Sequence, residues 1–144
     1  MLAGHRSDGE PTFEVVPARL LLDGFWRLLG TPALAEGCAE GDLLAVDEQG
    51  AFEVRQRGGN VSVVSYAQRG ETNEPHLSAL RHLLAPLQGK VECAPDGRWV
   101  VATVPVSVGF PAIEGAMKDW SAKSGRGWSF GNVYNENDEP LNWW

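Results

Sequence analysis

The chain has 144 residues and a net charge of −7, from 12 Lys and Arg against 19 Asp and Glu, with 43% hydrophobic and 22% charged residues. That length suits one domain, or two small subdomains sharing a core, and the apolar fraction is enough to fill one. An acidic chain without clustered cations excludes the nucleic-acid backbone as the expected partner, and no apolar run approaches the roughly 20 residues that span a bilayer.

Residues 1–12 carry no periodic pattern and are expected to be disordered. They also lack the apolar region of a signal peptide, so a cytoplasmic location is expected. A small antiparallel β unit is expected over residues 13–60. Phe13-Glu-Val-Val-Pro-Ala-Arg-Leu20 is strand-like, with Pro17 marking an edge or a strand end. Leu21–Leu29 admits two readings: a turn at Asp23-Gly24 followed by a second strand, or a short helix. Gly41–Val46 and Ala51–Arg55, joined through Gln49-Gly50, give a hairpin signal. Gly58-Gly59-Asn60 then turns the chain into Val61–Tyr66.

Residues 61–134 read as strand, helix, strand, strand, helix, strand. Thr72 is placed to cap the first helix, Glu74 puts negative charge in its first turn and Pro75 is tolerated there. Leu77, Leu80, Leu84 and Leu87 recur at steps of three and four, as one helix face requires. Pro86 ends or kinks the helix, and Gly89 suits a left-handed C-terminal position. Lys90–Ala94 and Arg98–Val104 flank Pro95-Asp96-Gly97, a hairpin turn. Phe110, Ile113, Met117 and Trp120 define the second helix face. Gly115 within it suggests a close backbone approach, and Gly125 a terminal cap. Trp128, Phe130, Asn132 and Tyr134 alternate with small residues, a strand with one aromatic face. The expected fold is therefore α+β: a small N-terminal β unit, then a ferredoxin-like βαββαβ sandwich with one sheet face left open. In the tail, residues 135–144, Leu141, Trp143 and Trp144 are expected to pack back onto that face or onto the β unit.

No catalytic motif is present: no G-x-S-x-G, P-loop, H-E-x-x-H or C-x-x-C. Gly125-Arg-Gly127 leads into a strand, the wrong order for a dinucleotide site. His76 and His82 are six apart and turn away from each other on a helix, so they cannot share a metal as an i, i+4 pair could. Cys38 and Cys93 read as two reduced, half-buried thiols without a neighbouring cation to activate them. A βαββαβ sheet can stack RNA bases on aromatic side chains, but Trp99 is a single ring, and Arg55, Arg57 and Arg69 do not offset the acidity. No cofactor, metal ion or catalytic residue is expected.

Phe13-Glu-Val-Val-Pro17, the strand start Gly41-Asp42-Leu43-Leu44 and the layout that follows resemble a bacterial family known as domain of unknown function 4265, over roughly residues 13–130. The family's Ser-Gly-His-Ser-Thr-like turn before the long strand is here Arg57-Gly58-Gly59-Asn60-Val61-Ser62, which lacks the His. The resemblance implies no activity and no catalytic residue.

From Leu28 to Val54 there is no Lys or Arg, while Glu36, Glu40, Asp42, Asp47, Glu48 and Glu53 all fall there. Such a stretch is either a solvated face or a surface for a basic protein. The leading expectation is a non-catalytic protein-binding protein, in particular an immunity protein that neutralises a basic toxin domain. Its candidate contacts are these six acids together with Trp143 and Trp144. The alternative is a small-molecule-binding regulatory module, on the analogy of the fold. Oligomeric state is left open.

Overall fold

The structure, a computed structural model, describes residues 1–67 and 74–144. Its first elements are the strands β1 (Leu2–His5) and β2 (Pro11–Phe13), which pair antiparallel. Disorder was expected here, and the structure corrects that. The Leu2 amide donates to the Gly50 carbonyl at 2.7 Å, and Glu14 N donates to Met1 O at 2.9 Å. The partners that order this segment lie far along the chain, so no local pattern announces them.

A four-stranded sheet follows, β3 (Ala18–Leu20), β4 (Trp26–Leu28), β5 (Leu43–Val46) and β6 (Phe52–Gln56), antiparallel and in that order. Leu21–Leu29 thus takes the strand reading. Gly24 turns at φ 83°, and Asp23 Oδ1 accepts from Phe25 N at 3.2 Å. Leu28, Cys38 and Leu44 form a small core, with Val16, Ala18, Val46, Phe52 and Val54 packed on it.

The larger layer contains β7 (Asn60–Tyr66), α1 (Glu74–Leu84), β8 (Lys90–Cys93), β9 (Trp99–Pro105), α2 (Phe110–Ser124) and β10 (Ser129–Phe130). Its sheet order is β10-β7-β9-β8 with every neighbouring pair antiparallel. The fold is α+β, and the element order over this layer is the expected βαββαβ. Val61, Val63, Val100, Ala102 and Val104 face Leu77, Leu80, Leu84, Ile113, Met117 and Trp120 in one core. Trp120 is wholly buried, and its indole N–H donates to the His76 carbonyl at 2.8 Å, which ties α2 to α1. A buried indole without such an acceptor would be costly.

At the start of α1, Glu74 pairs with Arg81 at 2.9 Å, while Thr72, the expected cap, lies outside the described residues. After α1 the chain tightens into a single 3₁₀ turn at Pro86. Gln88, not Gly89, takes the left-handed position, at φ 57°. Gly89 is needed for closeness instead: a Cβ there would lie 2.7 Å from Leu84 Cβ. Gly125 caps α2 as expected, at φ 73°.

The last strand is shorter than its alternating pattern predicts. After Phe130 the side chain of Asn132 turns inward and replaces the backbone rungs: Oδ1 accepts from Ser62 N at 2.8 Å and Nδ2 donates to Asn60 O at 2.9 Å. The aromatic residues survive as a cluster, with Phe130 in contact with Trp128, Phe110 and Tyr134. Among the described residues no helix is long and apolar enough to cross a membrane.

Gly115 needs no close approach. It is exposed on α2, and nothing lies within 4 Å of where a Cβ would stand. Gly115→Ala should therefore stabilise the protein by up to about 1 kcal/mol in urea denaturation, from reduced freedom of the unfolded chain. A loss of stability would contradict this reading.

Candidate functional site

The six acids do not form one patch. Asp42 has no solvent contact and serves the fold. Its Oδ1 accepts from Gly58 N at 2.6 Å, and its Oδ2 accepts from Ala39 N at 3.1 Å and from Arg57 Nη1 at 3.2 Å. Asp42 is thus withdrawn as a partner contact. The backbones it joins cross so closely that a Cβ on Gly58 would sit 2.3 Å from the Gly41 carbonyl carbon. Here glycine is imposed by contact between two segments, not by a turn. Glu40 is half-buried and pairs with Lys90 on β8. Glu36 is exposed on the loop between β4 and β5. Asp47 and Glu48 are exposed at the β5–β6 turn, where Asp47 Oδ1 accepts from Gln49 N and Ala51 N, each at 2.9 Å. Glu53 is exposed and pairs with Arg55 at 3.0 Å.

The sheet face opposite the helices is only partly open. The β4–β5 loop crosses it, and Thr31 and Thr103 share a hydroxyl hydrogen bond of 2.6 Å beneath that loop. Glu14 secures the loop from the other side, its carboxylate accepting the N–H groups of Ala33, Leu34 and Ala35 at 2.8–2.9 Å. The tail lies against both parts of the chain, with Leu141 lining a cavity beside Phe52 and Arg57. Trp143 donates its indole N–H to Asn132 O at 2.6 Å, and the Arg57 guanidinium lies 5.1 Å from its ring centre. Trp144 meets Phe110 at 5.1 Å between ring centres and is 47% exposed. Trp143 is therefore largely structural, and Trp144 only partly so.

Sequence reasoning missed a surface on the N-terminal sheet. Leu20 and Trp26 are cross-strand partners, 55% and 37% exposed, and Leu22 at the hairpin tip is fully exposed. Trp26 borders a groove of about 350 Å³ lined also by Met1, Val16, Ala18, Leu28, Leu44, Val46 and Asp47; the Asp47 side chain is acidic, and the Met1 ammonium donates to Glu14 O. An apolar groove with one acidic side chain is thus displayed on the acidic β unit. The signal in the sequence was Leu20-Leu21-Leu22 beside Phe25-Trp26, legible as exposed only once the turn at Gly24 is known.

The titratable groups with clear shifts are not activated ones. Burial, reinforced by the negative Asp42, pushes the Cys38 thiol up to about 12, which keeps it protonated at physiological pH. The half-buried Cys93 thiol is also raised, chiefly by burial. Both cysteines are free. Among the described residues no His, Cys, Asp and Glu side chains converge as a metal site would require.

A family model for the Domain of unknown function (DUF4265) matches residues 14–128, and the chain belongs to that family. No curated protein matches the chain. A solved structure, the crystal structure of a hypothetical protein from Neisseria gonorrhoeae, superposes with a TM-score of 0.67 over 89% of each chain at 13% identity. That is a likeness of fold.

Burial holds the Asp42 carboxyl above its ordinary value of 3.8, against the lowering effect of its N–H donors and Arg57. A raised folded-state value means that the native state binds the proton more tightly than the unfolded chain. Asp42 then contributes most below 3.8, and that contribution is lost as pH rises through the folded value. Asp42→Asn removes this titration and should cost about 1–3 kcal/mol at neutral pH. The stability gap between wild type and variant should widen from about pH 7 to about pH 4. A narrowing gap in parallel urea titrations would refute the assignment.

Proposed function

We propose, taking membership of that family as the premise, that this protein is a non-catalytic binding protein. It holds a partner protein on the apolar groove of its N-terminal sheet that Asp47 also lines. The partner we infer is a basic toxin domain, which the protein neutralises as an immunity protein. The observation that carries the reading is the exposed Leu20–Leu22–Trp26 patch continuous with that groove. Exposed Trp and Leu side by side are costly in water, and such patches with polar rims mark interaction surfaces. Asp47 and Glu48 beside it, in a chain of net charge −7, match a cationic partner and speed its encounter. A buried, protonated Cys38 fits a binding role better than a nucleophilic one.

The test is co-expression and pull-down with the product of the neighbouring gene, followed by titration calorimetry. Complex formation and rescue of growth are expected. Leu22→Ser and Trp26→Ser should each weaken the complex by about tenfold or more. Glu48→Lys should mainly slow association and reduce its salt dependence. No complex together with no rescue would sink the proposal.

A further inference from the structure

A second cavity of about 350 Å³ lies on the other sheet, between the β4–β5 loop and β10. Two aromatic side chains wall it, Tyr66 from β7 and Trp99 from β9, and the segment from Gly127 to Ser129 leading into β10 forms its far edge. Tyr66 and Trp99 face each other across the β7–β9 ladder, with ring centres 4.4 Å apart and planes inclined at 47°. They form an angled wall and not a flat stack, and Tyr66 is 56% exposed. The Trp128 ring turns to the helix-side core, where it meets Phe130 edge-on at 5.3 Å and 86°. Among the described lining residues Glu36 carries the only charge, and it is exposed at the rim.

We propose that this cavity is a binding site for an organic ammonium ion, a quaternary or N-methylated ammonium group in particular. Aromatic faces attract such a cation through their quadrupoles, and its alkyl groups make it cheap to desolvate. Glu36 supplies the compensating negative charge. A bare divalent metal would need several oxygen ligands, which one rim carboxylate does not provide. An anion would meet Glu36 and, among the described lining residues, no cation. The site belongs to a different sheet face from the Trp26 groove, so it stands or falls apart from the toxin reading.

The chemistry can come from a free metabolite or from a methylated lysine on a protein, and the experiment separates the two. The full chain is titrated with choline, with a trimethyllysine peptide and with 3,3-dimethylbutan-1-ol, the neutral carbon analogue of choline, and the indole N–H signals are followed by NMR. A saturable shift of the Trp99 signal is expected with the two ammonium probes, the tighter of which identifies the source. The neutral analogue should bind about tenfold more weakly, as should choline to Trp99→Leu. Glu36→Gln, a change at an exposed position, should weaken choline binding by about threefold to fivefold while leaving the circular dichroism unchanged. The proposal is overturned by an absence of a saturable shift at the Trp99 indole, by equal binding of the neutral analogue, or by wild-type affinity in Glu36→Gln.

Discussion

A carboxylate without water must be given partners, and Asp42 determines how the two sheets of this protein meet. Its oxygens are taken by Ala39 and Gly58 N–H groups and by Arg57. Two of those partners lie across the junction that leads into β7, so satisfying the charge brings the N-terminal sheet against the larger layer. Gly41 and Gly58 then cross at a separation that excludes any side chain at Gly58. The pair costs desolvation to bury, which makes it poor evidence for stability but a strong constraint on geometry. From Arg57 the connections continue to the Gly37 carbonyl and the Trp143 ring, from Trp143 to Asn132, and from Asn132 to Asn60 and Ser62.

This organisation leaves apolar side chains on the outer faces. The buried polar groups are spent on joining layers, whereas Leu20, Leu22, Trp26 and Tyr66 remain in contact with solvent. Two surfaces of different chemistry result. One is an apolar groove lined by Trp26 and one acid, Asp47, to which we assign a protein partner. The other is an aromatic corner with one carboxylate, suited to a small cation. They lie on separate sheets, so occupation of one does not require the other.

The larger layer was legible in the sequence because its rules are local. Leucines at steps of three and four marked α1, Gly97 marked the β8–β9 turn at φ 73°, and Gly125 marked the end of α2. What was not legible depended on distant partners. The opening hairpin is ordered by Gly50, and a short polar segment carries no sign of that. Asn132 occupied a position that alternation alone assigns to a strand, yet its amide makes the rungs itself. The acidic run read as one face, but burial divided it: Asp42 went inside because Gly58 and Arg57 come back to meet it. Tyr66 became part of a site only through its register with Trp99.

The Asp42 junction makes the two sheets a single cooperative unit. Native-state hydrogen exchange tests it most directly. The amides of Ala39 and Gly58, which donate to Asp42, should exchange only through global unfolding. Their opening free energies should then lie within about 1 kcal/mol of those of the most protected amides in β7 and β9. Exchange of Ala39 and Gly58 through a smaller opening that leaves β7 and β9 protected would contradict the account.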